Sequence, residues 1–192
     1  MYQKFFKRLI DIILSACGII VLIPLWLVLA IIIKIDDPGP IFFRQKRIAQ
    51  DENGEKRFFQ IYKYRSMKMC TTKDTPTHLL ENPEQYITKV GGFLRKTSLD
   101  ELPQLFNIFM GHMSFIGPRP ALWNQDDLYA ERAKYGANNV KPGLSGWAQI
   151  NGRDELPIDV KAKLDGEYVE KMSFGFDVKC FFGTIMSVLK HE

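Results

Sequence analysis

The sequence has few residues of the kinds that bind zinc or form disulfide frameworks. Only three cysteines and three histidines occur in 192 residues. They are Cys17, Cys70, Cys180, His78, His112 and His191. The cysteines are odd in number, no Cys-x-x-Cys pair occurs, and the histidines lack the spacing of metal ligands. These absences argue against a zinc site and a disulfide scaffold, and they favour a reducing, cytosolic setting.

Nucleotide-binding signatures are absent as well. The chain has neither a P-loop nor a Gly-x-Gly-x-x-Gly motif, so Walker-type and Rossmann-type nucleotide binding are unsupported. It has no internal repeat and no domain linker, and its length suits one domain with an ordinary core. An apolar content of 46% excludes a disordered chain, and a mean hydropathy of −0.14 argues against a polytopic membrane protein.

Charge is distributed unevenly along the chain. Residues 1–96 hold 16 basic and 9 acidic side chains, whereas residues 97–192 hold 10 basic and 13 acidic ones. The longest charge-free stretch, residues 12–33, lies in the basic half. We therefore expect the basic half to meet a surface of anionic lipid.

The apolar stretch has three interpretations. As one helix its 22 residues would rise about 33 Å, close to the roughly 30 Å of membrane hydrocarbon, which allows a single span. Pro24 predicts a kink, however, and basic residues flank both ends, so a broken helix that enters and leaves on the same face is the interpretation we favour. A cleaved signal ending near Cys17 is the third, although the apolar run continues well beyond that residue.

The remaining chain predicts a β-hairpin followed by helices. Aromatic and branched residues at 41–48 and 57–66 flank a turn-like Asp51-Glu52-Asn53-Gly54, which predicts the hairpin. Residues 69–80 are polar and predict a loop. Helical patterns follow around 83–94, 99–110, 123–135 and 158–171.

The C-terminal segment and the hairpin each allow two interpretations. The segment from Val178 to Leu189 has an apolar stripe at helical spacing, which favours core packing but also suits a helix lying on a membrane. In the hairpin, basic residues alternate with aromatic ones, as in proteins that bind single-stranded nucleic acid. Next to a membrane anchor the same charges suit lipid headgroups better, so we expect no nucleic acid partner.

An acidic pair at Asp100 and Glu101 has a structural and a chemical interpretation. The spacing from Ser98 to Glu101 is that of a capping box, which spacing alone favours. A helix starting at Asp100 instead would place Pro103 in its first turn, where proline is tolerated. Either way Asp100 would lie at a helix N-terminus, which favours an ionised carboxylate and also a phosphate. One carboxylate acting as nucleophile and the other holding a metal is a natural division of roles.

Three arginines have stiff or glycine-rich surroundings. Arg95 precedes the acidic pair, Arg119 lies between two prolines, and Arg153 ends a glycine-rich segment. A lone arginine is most often part of a surface ion pair, but guanidinium groups on a restrained backbone suit bidentate phosphate binding. Together with the acidic pair they indicate a diphosphate substrate.

At these residues the chain resembles the bacterial sugar transferases of the monotopic phosphoglycosyl transferase family. The matching segments are KRLID at 7–11, PIFFRQ at 40–45, YKYRSM at 62–67, Arg95, SLDELPQL at 98–105, Asn107, MSFIGPRP at 113–120, and KPG at 141–143 through NGR at 151–153. They occur in order over nearly the whole chain. The lack of further N-terminal spans makes the chain resemble the minimal form of the family.

The resemblance implies a fold, a reaction and site residues. The fold would be α+β and helix-dominated, with a re-entrant membrane helix at residues 1–36 kinked at Pro24, and a cytoplasmic catalytic region at 37–192 with a small hairpin and amphipathic interfacial helices. A sugar 1-phosphate would pass from a UDP-sugar to polyprenyl (undecaprenyl) phosphate, with release of UMP. Asp100 would be the catalytic nucleophile, and Glu101, with Asp100, would bind Mg²⁺. The phosphate-binding residues would be Arg95, Arg119, Arg153 and Lys63.

The resemblance also implies a place in the cell. We expect a monotopic protein of the bacterial inner membrane, with membrane lipids as partners and its catalytic region on the cytoplasmic face. Downstream glycosyltransferases and a second copy of the chain are candidate partners. Three residues depart from the family pattern, namely Ile23, Ala49 and His112. A non-catalytic membrane adaptor that docks anionic lipids and a protein partner is the alternative function.

Overall fold

A computed structural model describes residues 2–51, 55–71, 82–152 and 156–189. Helices dominate it, accompanied by a small antiparallel hairpin. The α-helices are α1 (Lys7–Val21), α2 (Ile23–Asp36), α3 (Lys89–Lys96), α4 (Gln104–Met110), α5 (Asp126–Ala133), α6 (Trp147–Ile150), α7 (Ile158–Lys171) and α8 (Phe174–Leu189). The strands are β1 (Phe42–Ile48), β2 (Phe58–Tyr64), β3 (Ser114–Ile116) and β4 (Gly143–Ser145).

The N-terminal apolar stretch forms two helices with a sharp bend between them. Helices α1 and α2 meet at Leu22 with an angle of 62°, and Pro24 lies in the first turn of α2. The predicted break near Pro24 is confirmed, and its cause is the missing amide hydrogen and fixed φ of proline. Within the described ranges, no single helix has both the length and the apolar character to cross a membrane, whereas this bent pair together does.

Helix α1 has its polar residues inside and its apolar residues outside. Lys7, Asp11 and Ser15, spaced one turn apart, are its buried residues. Asp11 accepts hydrogen bonds from the Ser114 hydroxyl and the Phe115 amide, both at 3.1 Å, which ties α1 to β3. The opposite face exposes large apolar side chains, namely Leu9, Ile12, Ile13, Leu14, Ile20 and Val21.

The hairpin is present as predicted, although its turn at 52–54 lies outside the described residues. Strands β1 and β2 are antiparallel, with Arg44 opposite Tyr62. Phe59 and Ile61 on its inner face pack against α4. The Asn107 side chain completes the junction, because its Oδ1 accepts from the Tyr62 amide at 2.9 Å and its Nδ2 donates to the Gln60 carbonyl at 2.7 Å.

A second, parallel pair of strands brings two motifs together. β3 pairs with β4, so that Ser114 lies opposite Gly143. The backbones approach so closely that a Cβ on Gly143 would lie 2.1 Å from the Gly117 nitrogen, which explains the glycine at 143. This contact fixes the start of the Pro118-Arg119-Pro120 segment.

Several helices have bounds that differ from the predicted ones. The pattern at 83–94 is divided between a 3₁₀ turn, Pro83–Tyr86, and α3. The one at 123–135 shortens to α5, whereas the one at 158–171 agrees with α7. Most of the predicted loop at 69–80 lies outside the described residues.

The core-packing interpretation of the C-terminal stripe is wrong. Phe181 and Phe182 in α8 are 50% and 60% exposed, and Val178 and Ile185 are also exposed. Among the described side chains of α8, only Asp177 and Cys180 are buried. Because the stripe faces away from the rest of the protein, the alternative of a helix lying on a surface agrees with the structure.

Candidate active site

The acidic pair lies in a short turn between α3 and α4. Ser98 has a left-handed backbone with φ of 58°, and Leu99–Glu101 forms a single 3₁₀ turn before α4 begins at Gln104. The Ser98 side chain makes no capping hydrogen bond. The predicted capping box is therefore wrong, and so is a helix beginning at Asp100, since Pro103 directly precedes α4.

Glu101 is held by two cations. Its Oε1 accepts from the Lys63 ammonium at 2.6 Å and from the Arg119 guanidinium at 3.1 Å. Although burial of this carboxyl favours its neutral form, the charges and hydrogen bonds of Lys63 and Arg119 outweigh burial and lower the pKa of Glu101 well below its usual range. Glu101 is thus a fixed negative charge.

Asp100 is the more deeply buried acid of the pair. Only 8% of it is exposed. Burial raises its pKa above the usual aspartate value and the charge of Glu101 adds to the increase, while Lys63, Arg95 and Arg119 oppose it. Two adjacent carboxyls whose pKa values move in opposite directions are suited to different roles. A raised pKa makes the Asp100 carboxylate the more basic and the more nucleophilic of the two.

The structure brings together most of the predicted site residues. Lys63 and Arg119 contact Glu101, and Arg95, in the last turn of α3, is close enough to act on the charge of Asp100. Arg153 lies outside the described residues. Pro24 belongs to the helix bend and not to this cluster.

Local packing explains how α3 presents Arg95. Thr88 caps the helix by accepting from the Gly91 amide at 2.9 Å. A Cβ on Gly91 would lie 2.0 Å from the Ser66 carbonyl oxygen, so only glycine allows α3 to approach the end of β2 this closely. Leu94, fully buried, fills the space behind it.

Two residues near the acidic pair have no role in the sequence-based prediction. Asn107 is fully buried and joins α4 to β2, the strand that bears Lys63. Gln104 is 2% exposed, and its Nε2 has no hydrogen-bond partner among the residues that the structure describes. Both lie in α4, just after the acidic pair. The sequence could have indicated them, because they are polar residues among apolar neighbours in a predicted helix.

His112, one of the three residues that depart from the family pattern, lies away from the acidic pair. It follows the C-terminal end of α4, whereas Asp100 precedes the N-terminal end, and its ring lies 5.9 Å from that of Phe59. The departure at Ile23 does not prevent the bend, and Ala49 packs against the cluster of α4 and the hairpin.

The two carboxylates suit a metal that is shared with substrate phosphates, and not one that is held by protein side chains alone. In the described part of the chain, no group of three or more His, Cys, Asp and Glu side chains is placed to hold a metal. Mg²⁺ is commonly bound by one or two carboxylates together with substrate phosphates. Asp100 and Glu101 fit that pattern and not an all-protein cage.

Comparison with known proteins relates nearly the whole chain to sugar transferases. The chain matches the family model "Bacterial sugar transferase" over residues 2–191. It is 37% identical over 190 residues to the UDP-glucose:undecaprenyl-phosphate glucose-1-phosphate transferase of Escherichia coli K12, covering 95% of this chain and 40% of that protein. The UDP-N-acetylgalactosamine-undecaprenyl-phosphate N-acetylgalactosaminephosphotransferase of Aeromonas hydrophila is 35% identical, with coverage of 96% and 44%.

A third relative has nearly the length of this chain. It is the exopolysaccharide production protein PSS of Rhizobium leguminosarum bv. phaseoli, 34% identical over 95% of this chain and 94% of the relative. By contrast, the chain spans about two fifths of the length of the glucose-1-phosphate transferases that it matches, such as 38% of the one from Xanthomonas campestris. With a match over almost every residue, the chain belongs to the bacterial sugar transferase family.

Proposed function

We propose that this protein transfers a sugar 1-phosphate from a UDP-sugar to undecaprenyl phosphate and releases UMP, as the first membrane step of bacterial glycan assembly. The main observation behind the proposal is the buried acidic pair, whose pKa values move in opposite directions beside three cations. The relatives support it, since those named above for a reaction are transferases of UDP-sugars and undecaprenyl phosphate.

The first step is nucleophilic attack by Asp100. A carboxylate oxygen attacks the phosphorus that bears the sugar, and the bond from that phosphorus to the bridging oxygen breaks. Its electron pair leaves with UMP, and a mixed anhydride joins Asp100 to the sugar phosphate. This step needs ionised Asp100, which the charges of Lys63, Arg95 and Arg119 favour against the cost of burial.

The second step regenerates the carboxylate. A phosphate oxygen of undecaprenyl phosphate attacks the same phosphorus, and the bond to Asp100 breaks. The product is an undecaprenyl diphosphate sugar, and no proton has to be supplied because both attacking groups are anions. Two half-reactions of this kind predict ping-pong kinetics.

The remaining residues bind phosphate and hold the acids in place. Arg95 and Arg119 would bind diphosphate oxygens, as would Arg153 from its glycine-rich segment, and Lys63 orients Glu101 through its 2.6 Å contact. Glu101, with Asp100, would hold Mg²⁺. When bound, Mg²⁺ neutralises the charge that develops on the diphosphate and on the leaving UMP.

We also propose that the bent helix pair is a re-entrant anchor in the cytoplasmic membrane. The exposed apolar face and buried polar stripe of α1 are the reverse of a water-soluble helix, and they suit a helix whose outside meets lipid. The exposed Phe181 and Phe182 give α8 an apolar face for the same membrane. A reporter fused to the N-terminus should then lie on the cytoplasmic side, and a periplasmic reporter would refute re-entrance.

The direct test is a donor panel. Purified protein in detergent is incubated with Mg²⁺, undecaprenyl phosphate and a series of UDP-sugars, and UMP is measured. We expect one or a few donors to release UMP, and Asp100→Asn to abolish release. The control is Asp159→Asn, the same change on an exposed turn of α7, which should keep full activity. Absence of UMP with every donor would favour the adaptor alternative.

A further inference from the structure

A cavity lies at the other end of α4 from the acidic pair. Its volume is about 330 Å³, and it lies between the start of α1, the start of β3, the segment before β4 and α7. Arg8 marks its position, because its guanidinium donates to the Ile108 and Phe109 carbonyls at the C-terminal end of α4. Asp100 and Glu101 precede the N-terminal end of that helix, so this cavity is not the site described above.

The charged lining of the cavity is mostly basic. It includes Lys7, Arg8 and Lys141 against one acid, Asp11. Lys7 is already paired with Asp177 at 2.5 Å, and Asp11 already accepts from β3. With Lys7 paired outside the lining, Arg8 and Lys141 still outnumber Asp11, so the lining keeps a net positive charge.

These two groups converge. The Arg8 Nη2 lies 3.2 Å and the Lys141 Nζ 3.5 Å from the same point, the position that a Cβ on Gly111 would take. Two cations this close repel each other unless an anion lies between or beside them. The Gly111 backbone is left-handed, with φ of 88°, and its missing side chain leaves room for this approach.

Lys141 is near the charge of Asp11 but makes no direct bond to it. It is half-buried, and its ammonium has no hydrogen-bond or salt-bridge partner among the described residues. Burial lowers its pKa, the nearby Arg8 lowers it further, and Asp11 opposes them. Arg8 has five N–H donors, of which its bonds to α4 account for two. Both groups are thus poised to donate to a bound anion.

We propose that this cavity binds a phosphate ester with a small hydroxylated head, held by Arg8 and Lys141. A guanidinium beside an ammonium suits a phosphate, and the amide side chains of Gln3, Gln50 and Asn139 that line the cavity can hydrogen-bond hydroxyls. The volume accommodates a glycerol phosphate group. The same chemistry is offered by an anionic lipid headgroup, because α1 begins beside the cavity, and by a soluble phosphate ester.

The test uses the whole 192-residue chain in a nonionic detergent. One arm titrates glycerol 3-phosphate and follows the thermal unfolding midpoint, and the other counts phosphatidylglycerol molecules retained in native mass spectra. We expect a saturable response in at least one arm for the unmodified protein. Lys141→Gln should weaken it at least tenfold, Lys141→Arg should retain it, and Lys163→Gln, the same change on an exposed part of α7, should leave it unchanged.

The pattern of responses identifies the source and can overturn the proposal. If the unmodified protein retains phosphatidylglycerol and Lys141→Gln does not, the site binds a lipid headgroup. If the protein responds to glycerol 3-phosphate alone, the site binds a soluble ester. The proposal is overturned if neither probe binds or if Lys141→Gln binds like the unmodified protein. It is also overturned if Arg119→Gln, but not Lys141→Gln, abolishes binding, since the phosphate would then occupy the active site.

Discussion

Neutralising the two adjacent acids should change stability in opposite directions. Because the pKa of Glu101 is lowered, its contribution to stability is full above the usual glutamate pKa and is lost as the pH falls through the lowered value. Because the pKa of Asp100 is raised, its ionised form costs stability at neutral pH; that cost begins to fall as the pH drops through the raised value and is gone below the ordinary aspartate pKa. At pH 7.5, Glu101→Gln should therefore destabilise the protein and Asp100→Asn should stabilise it.

The magnitudes follow from the contacts. The side chains of Lys63 and Glu101 are each 17% exposed, so their bond is little screened, whereas that of Arg119 is 33% exposed and contributes less. Losing a charged hydrogen bond of this kind costs about 2–3 kcal/mol. For a chain of this size that lowers the unfolding midpoint by about 4–12 °C. Asp100→Asn should add about 0.5–2 kcal/mol, the range for stabilising substitutions, and raise the midpoint by about 1–8 °C.

The assay is thermal unfolding in detergent at pH 7.5, with two controls. Glu170→Gln, at an exposed position of α7, should shift stability by no more than about 0.5 kcal/mol. Asp159→Asn, in the exposed first turn of α7, should lower stability by at most about 1 kcal/mol, because it removes a charge that the helix dipole favours. If both active-site variants lose stability, or if Glu101→Gln has no effect, the account of the electrostatics at this site is wrong.

Three further predictions concern pH, packing and the outer face of α8. UMP release should fall on the acidic side with a midpoint above the ordinary aspartate pKa of about 3.9, because Asp100 must be ionised; a midpoint at or below that value would contradict its role. Gly91→Ala should destabilise by about 2–3 kcal/mol because its Cβ would meet a backbone carbonyl at 2.0 Å. In the same helix, Gly92→Ala, whose nearest neighbour is at 3.9 Å, should be neutral or stabilising in thermal unfolding; equal effects would refute this packing. Replacing both Phe181 and Phe182 with serine should change stability in detergent by no more than about 0.5 kcal/mol but increase release from lipid vesicles at high pH; unchanged release would exclude this face from membrane contact.

The elements whose sequence patterns are local were predicted correctly. The hairpin strands were predicted within two residues of their bounds because alternating apolar residues and a turn are local properties. Helix α7 agrees at both ends, since Pro157 precedes it and its pattern is uninterrupted. The bend near Pro24 is equally local, because it follows from the geometry of one residue.

The acidic turn shows why spacing alone misleads. The segment from Ser98 to Glu101 has the spacing of a capping box, but the Glu101 carboxylate binds Lys63, which is 38 residues away in the sequence. A pairing across the fold outweighs the weaker local bond, and Ser98 takes a left-handed backbone instead. The chemical interpretation of the pair could be derived from the sequence, but its cations Lys63 and Arg119 meet only through the fold.

The C-terminal stripe shows a second limit of pattern reading. An apolar stripe predicts a helix face but not the surface that covers it, so core packing and an exposed face have the same pattern in α8. Likewise, Lys7 precedes the apolar stretch as a surface charge would, yet it is buried and bonds to Asp177. Net charge does not distinguish a basic residue on the surface from one that joins two elements.

The proposed reaction requires that Asp100 becomes covalently bonded to the sugar phosphate. The protein is mixed with its UDP-sugar and Mg²⁺ without undecaprenyl phosphate, quenched, digested and examined by mass spectrometry. We expect one equivalent of UMP per protein and a sugar-phosphate adduct on the peptide that contains Asp100, and we expect the adduct to be lost when undecaprenyl phosphate is added. UMP that forms only when undecaprenyl phosphate is present, with no adduct on that peptide, would contradict it.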